Sequence, residues 1–259
     1  MAGNKLMRLK TPAEIEIMAQ GGRLLAVILA KLAKMVEPGM TGSKLDAECY
    51  RLIVEARAEP AFLGYKPSAA SKPYPATICI SVNDAIVHGL PNLSPFKPGD
   101  VVKLDAGLRY KGFYLDAAVT VTAGEASKKA AALIEVTETA LALGIKTARP
   151  GNTLGDIGWI IQTHVEKNNF SVSESLTGHG IGRKLHEEPA VLNRGKAGEG
   201  DVLSAGMVLA IEPMVVAGKS GKVREGKDSS WRAVDGSLTA HFEHTVAITE
   251  NGPRILTRI

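Results

Sequence analysis

The chain has 259 residues, 45% of them apolar and 22% charged, with a formal net charge of +4. That length and composition suit a soluble chain with a substantial buried core, and the mild basicity carries no Lys/Arg-rich run of the kind that marks a nucleic-acid enzyme. Two cysteines, Cys49 and Cys79, exclude a disulfide framework and a Cys-rich zinc site, and no long apolar span marks a membrane helix. The opening MAGNKLMRLKTPAEIE lacks an apolar core of signal-peptide type, so a cytoplasmic location is expected.

Thr11 predicts a helix cap, with Pro12 in the first helical position and Glu14 closing a capping box. Ile15, Met18, Leu25, Ile28 and Leu32 hold helical spacing until Glu37-Pro38-Gly39 stops it. A second helix is expected from Ser43 to Ala56. The stretch from Glu59 to Tyr74 holds Pro60, Pro67 and Pro73, with Pro75 just beyond, and reads as a loop. Strand-type segments TICISVN and AIVHGL follow, and then VVKLDAGLRYKGFYLDAAVT reads as two apolar strands around a turn at Arg109 to Gly112. Helices are expected at Ala126 to Thr147 and Leu154 to Asn168, parted by Ala148-Arg149-Pro150-Gly151, before the chain returns to strands and ends in VAITENGPRIL. Helices and strands interleave without the strict alternation of a parallel doubly wound sheet. The expected class is α+β, a curved antiparallel sheet with helices on one face, in a single domain over residues 1–259.

Five charged or titratable side chains interrupt apolar or Gly-rich stretches: Asp105, Asp116, His179, Glu212 and Glu243. A buried acid costs several kcal/mol unless a cation or hydrogen bonds compensate it. Asp105 and Asp116 are equidistant from the Tyr110/Lys111 midpoint, which places them directly opposite each other in a hairpin centred there, with Cβ atoms about 5 Å apart. Two bare carboxylates so close repel; a divalent cation, or a pair of cations about 3.5–4 Å apart, removes the repulsion. Two exposed acids near a turn is the other reading, and a bulge at Gly112 would shift the register. Glu212 lies in VLAIEPMVV, where Pro213 biases it toward an extended backbone. Alternation in TAHFEHTVAIT puts His241, Glu243 and Thr245 on one face. Glycines flank His179 in TGHGIGRKLHEEP and let the backbone approach a ligand closely. Together these residues look like a binuclear metal site.

The motifs KTPAEIEIM, VEPGMTGSKLD, CISVNDAIVHGLP, LDAG with LDAAVT, GHGIGRKLHEEP, IEPM and DGSLTAHFEHT occur in an order that resembles the type I methionine aminopeptidases over nearly the whole chain. The resemblance implies the pita-bread α+β fold, with helices on the outer face of a curved antiparallel sheet, and removal of the initiator methionine from nascent proteins and peptides. It implies metal ligands at Asp105, Asp116, His179, Glu212 and Glu243, and substrate contacts at His88 and His186. Two divalent ions would be held there and would supply a bridging hydroxide near neutral pH, with Glu212 serving as ligand and base, His186 stabilising the oxyanion and His88 contacting the scissile amide. The oxygen-rich ligand set makes Co, Mn or Fe(II) as suitable as Zn. Tyr65, Tyr74, Cys79 and Trp231 would line an apolar methionine pocket, and His164, outside every motif, is read as structural.

The implied partners are the N-terminal methionine of peptides and nascent chains, and the ribosome surface; no membrane or specific nucleic acid is expected, and the chain is expected to be a monomer. Four departures from the family pattern stand out: Leu185 in place of a phenylalanine, a longer loop KPSAASKP between Tyr65 and Tyr74, a shorter spacing from Trp231 to Asp235, and His241 where many relatives carry glutamine. Two rival readings share the fold: a proline-directed aminopeptidase or prolidase, and a non-enzymatic binding protein. The second typically loses ligands, whereas all five positions are filled here.

Overall fold

The computed structural model describes residues 8–66 and 68–259; the first residues of the segment read as lacking a signal peptide, and Pro67 of the proline-rich loop, lie outside the described residues. Helix α1 (Pro12–Lys34) starts at the Thr11 capping box, and α2 (Gly42–Glu55) starts at Thr41, whose hydroxyl accepts the Lys44 N–H. Then come β1 (Glu59–Pro60), β2 (Ile78–Val82), β3 (Ala85–Val87), β4 (Val101–Tyr110) and β5 (Phe113–Thr122). Helices α3 (Lys128–Thr147) and α4 (Leu154–Lys167) are capped by Ser127 and Thr153. The rest is strand and loop: β6 (Ser171–Val172), β7 (Thr177–Gly180), β8 (Glu187–Leu192), β9 (Val208–Ile211), β10 (Met214–Val216), β11 (Val223–Glu225), β12 (Trp231–Ala233), β13 (Thr239–His241), β14 (Glu243–Thr249) and β15 (Gly252–Ile255).

The main sheet runs β1-β4-β5-β14-β9-β7-β8, with β2 also on β4 and β15 on β14, and its pairings are antiparallel. Two small sheets, β13-β10-β6 and β11-β12-β3, complete the described strands. The expected pita-bread α+β architecture, a curled antiparallel sheet with four helices, is the one observed. Two cores flank the sheet. Ile15, Met18 and Leu25 of α1 pack with Leu104, Leu108 and Leu115 of the hairpin, whereas Leu133 and Leu141 of α3 and Ile161 of α4 pack with Leu209, Ile211 and Val246.

The segment read as a loop from Glu59 contains β1, which pairs Glu59 with Arg109 and Pro60 with Leu108 at the end of the sheet path. Proline is tolerated there because an edge residue needs no second ladder partner. Where α1 meets the chain end, packing leaves no room for a side chain: a Cβ on Gly22 would stand 2.1 Å from the Leu256 carbonyl oxygen. Gly22→Ala is therefore expected to destabilise the protein by about 1–3 kcal/mol. Thermal unfolding should show a Tm lower by several degrees; an unchanged Tm would mean that α1 can shift at no cost.

The β4–β5 hairpin corrects one expectation. Lys111 and Gly112 form a two-residue turn with φ of 48° and 87°, the left-handed pair that matches the twist of the flanking strands. Tyr110 therefore pairs with Phe113, Asp105 faces Ala118, and Asp116 faces Gly107. The two aspartates are diagonal neighbours rather than direct partners. They still share one face, because the register moved by two residues in the pair sum and side-chain parity is unchanged.

Candidate metal centre

The face carrying Asp105 and Asp116 meets three other strands. Glu243, the first residue of β14, pairs with Ala118 and so lands beside both aspartates. Residue Glu212, at the end of β9, and His179 of β7 arrive through the β14–β9–β7 ladder, where His179 and Thr245 both register with Ala210. Asp105 is 8% exposed, Asp116 4%, Glu212 9% and Glu243 2%, so all four acids are in the protein interior.

Buried threonines fix these strands side by side. The Thr245 hydroxyl accepts the Asp116 N–H at 3.0 Å and donates to the Asp116 carbonyl at 2.8 Å. Thr120 does the same for His241, accepting its N–H at 2.9 Å and donating to its carbonyl at 2.6 Å. Asn193 Nδ2 donates to the Glu212 carbonyl at 2.9 Å. Of these three, only Thr245 was placed on the site face by alternation in the sequence; Thr120 shares the Asp116 and Ala118 parity and could have been found the same way, and Asn193 has no local signal.

The glycines around His179 serve a different purpose from the one read in the sequence. A Cβ on Gly178 would lie 2.3 Å from the Ala210 carbonyl oxygen, and one on Gly180 would lie 2.2 Å from the Glu188 carbonyl oxygen. They let β7 sit tightly between its neighbouring strands. His179 Nδ1 donates to the Gly180 carbonyl at 2.9 Å, which leaves the Nε2 lone pair 3.7 Å from Glu212 Oε1.

Electrostatically the cluster is unfavourable without a cation. Burial pushes the Asp105 pKa up to about 7, and it pushes Asp116 well above the carboxylate range, with the charges of Asp105 and Glu212 adding to the effect. Glu212 and Glu243 are likewise held well above that range by burial. Asp105 Oδ1, Asp116 Oδ1 and Glu243 Oε1 are buried and have no hydrogen-bond partner among the described residues. Buried polar atoms are nearly always paired, so three orphaned carboxylate oxygens in one place call for a ligand. Ligand atoms of Asp116, His179 and Glu243 lie within 4.8 Å of one another, as do those of Glu212, His241 and Glu243. Hard oxygen donors with a bare imidazole nitrogen suit a divalent metal ion.

Three more histidine and pocket positions surround the cluster. The His186 ring centroid is 4.4 Å from that of His179, and the Tyr65 hydroxyl is 2.5 Å from His186 Nδ1. Desolvation by the surrounding protein lowers the His186 pKa to about 3, with His179 and His88 contributing, so the ring is neutral near pH 7. His88 adopts a φ of 60°, uncommon outside glycine and a conformation that concentrates at functional sites. Its neighbour Gly89 is held against β2 by the Ile80 N–H at 2.8 Å and by the Ser81 hydroxyl at 2.9 Å. His88 is exposed, and desolvation by the surrounding protein, with His241 adding, lowers its pKa.

Cys79 pairs with Asp105 across β2 and β4 and is fully desolvated. The Tyr74 hydroxyl donates to the Gly89 carbonyl at 3.0 Å, and backbone bonds from the Tyr74 N–H to the Tyr65 carbonyl and from the Gly64 N–H to the Tyr74 carbonyl close the loop at its base. Tyr65, Tyr74 and Cys79 join the first core, whereas Trp231 packs with Ile86, Val87 and Met214 in a separate cluster beside the strand leading to His88. Leu185 is 2% exposed and belongs to the first core. His164 sits in the last turn of α4, with its Nε2 buried and unpartnered among the described residues.

Comparison with known proteins agrees with this geometry. The model of metallopeptidase family M24 matches residues 16–250. A methionine aminopeptidase of Clostridium perfringens is 45% identical over 97% of this chain and 98% of its own, and methionine aminopeptidase 1 of Bacillus subtilis is 43% identical over 96% and 98%. The crystal structure of methionine aminopeptidase from Thermotoga maritima, 43% identical, superposes with a TM-score of 0.93 over 98% of this chain and 100% of that one. A metallopeptidase of the M24 family, the chain belongs within it to the methionine aminopeptidases.

Proposed function

We propose that the protein removes the N-terminal methionine from peptides and nascent chains with the help of two divalent ions drawn from Co, Mn, Fe(II) or Zn. The observation that carries this reading is the group of buried carboxylates with oxygens unpartnered among the described residues, two of which, Asp116 and Glu243, have ligand atoms within 4.8 Å of one from His179. Asp105, Asp116, His179, Glu212 and Glu243 would hold the ions. Divalent ions bound there supply Lewis acidity and a water acidic enough to act near neutral pH.

The remaining chemistry falls to side chains of the protein. Glu212 is the base: its buried carboxylate lies beside His179 and His241, inside the cluster. His186 is the oxyanion donor. Burial raises the Tyr65 phenol pKa, so its O–H stays protonated and donates to His186 Nδ1, which leaves the proton of the neutral ring on Nε2 for the scissile carbonyl oxygen. His88, held by its left-handed backbone between β3 and Gly89, contacts the scissile amide. Tyr65, Tyr74, Cys79 and Trp231 form the pocket for the methionine side chain, an apolar wall that suits a thioether. With this function go a single catalytic domain over residues 1–259, a cytoplasmic location, a monomeric state and contact with the ribosome surface.

Purified protein supplied with Mn or Co is expected to release methionine from Met-Gly-Met-Met and to leave Ala-Pro-Ala intact. Release from Ala-Pro-Ala alone would replace this reading with a proline-directed one, and release from neither would leave a binding protein.

A further inference from the structure

Glu212 is bracketed by two imidazoles. Its Oε1 lies 3.7 Å from His179 Nε2, and its Oε2 lies 3.1 Å from His241 Nε2. His241 is 1% exposed and ends β13; it pairs with Met214, two residues beyond Glu212, and Thr120 clamps its main chain from the other side. Such a side chain has little freedom to reorient.

The two rings differ in where the proton sits. On His179 the Gly180 carbonyl takes the Nδ1–H, so Nε2 is a bare lone pair facing a carboxylate oxygen across a gap too long for a hydrogen bond. On His241 the Nδ1 is buried with no partner among the described residues. A proton on that Nδ1 would orphan a buried N–H and, once Glu212 is ionised as a metal ligand must be, would also set two lone pairs against each other at 3.1 Å. With the proton on Nε2 the only unsatisfied atom is an acceptor, and orphaned buried acceptors are tolerated more often than orphaned buried N–H groups.

We infer, on the reading of this cluster as a metallopeptidase centre, that His241 is the positioning residue of Glu212: its Nε2–H donates to Oε2 and leaves Oε1 as the oxygen that faces His179 and the bound ion. The terminal torsion of a glutamate is broad, and a neutral carboxylate–imidazole bond of this kind selects one setting of it. The two oxygens thereby become inequivalent. His241 holds the base without itself binding metal, although one of its ring nitrogens lies within 4.8 Å of ligand atoms of Glu212 and Glu243.

Imidazole ¹H–¹⁵N correlations on the zinc-loaded protein, in which Glu212 is ionised, test this directly, without any substitution. The expected result is His241 protonated on Nε2 and His179 protonated on Nδ1. In the cobalt-loaded protein, X-ray absorption should find one imidazole per two ions, and that count should persist in His241→Gln, whose amide N–H replaces the donor. The Gln variant should keep kcat for methionine release within a few-fold of wild type. His241→Leu should lower kcat by roughly 10–100-fold with peptide KM and metal content unchanged. Nδ1 protonation of His241, or imidazole scattering that falls in the Gln variant, would overturn the inference in favour of a sixth metal ligand. Full kcat in the Leu variant would overturn it as well. If the wild-type protein takes up ions and releases methionine, any of those results sinks this inference alone; a wild-type protein that takes up no divalent ion sinks the metallopeptidase reading with it.

Discussion

Glu212→Gln is expected to lower turnover of Met-Gly-Met-Met by about 10²–10⁴-fold while divalent metal stays bound. Glutamine keeps the shape of the side chain and one oxygen donor, and Asp105, Asp116, His179 and Glu243 are untouched, so the ion-binding cluster loses charge but not its frame. What disappears is the capacity to take a proton. The main chain at this position is secured independently by Asn193 on its carbonyl, and Pro213 favours the extended conformation, so the substitution is not expected to move the strand. The loss should fall on kcat with KM for the peptide little changed, the pattern of an interaction made in the transition state. Elemental analysis and initial rates on the same preparation check both halves. Near-normal turnover at full metal content would take the role of base away from Glu212.

Much of this site was legible in the sequence because strand parity survives errors of register. Asp105 and Asp116 were assigned to one face by counting, and the count still held after the turn proved to be Lys111-Gly112 rather than one centred on Tyr110/Lys111. The register itself was hidden because a two-residue left-handed turn normally announces itself with Asn-Gly or Asp-Gly, and here a lysine takes the first place at φ 48°. The first helix was legible through its cap at Thr11, where Glu14 three positions on bonds back to the cap; the same box, Thr153 with Asp156, opens α4 in the structure. Less visible were contacts between distant segments. Nothing local to Gly178 or Gly180 says that the carbonyl groups of Ala210 and Glu188 will lie within 2.3 Å of a Cβ there, and the Tyr65–His186 bond joins residues 121 positions apart. His88 shows the same limit, since its left-handed backbone is imposed by β2 and β3 rather than by its own preference.

Glu243 offers the sharpest separation of stability from function. It belongs to both groups of ligand atoms in the cluster, one with Asp116 and His179 and one with Glu212 and His241, so its loss should weaken every ion the site holds. Replacing it by leucine also removes one of four acids packed in the interior, where burial and mutual repulsion disfavour charge. Exchanging buried ionic groups for apolar ones of similar volume is often neutral or stabilising. Metal-free Glu243→Leu is therefore expected to melt at or above the temperature of metal-free wild type, although it should release no methionine. An ion present at 100 times its Kd stabilises a folded protein by about 2.7 kcal/mol, which for a chain of this size raises Tm by roughly 5–10 °C. Wild type should show that rise on addition of Mn or Co, and Glu243→Leu should show none. A metal-dependent rise of wild-type size in the variant would mean that Glu243 is not the shared ligand, and the convergence of β5, β9 and β14 on one ion pair would have to be abandoned.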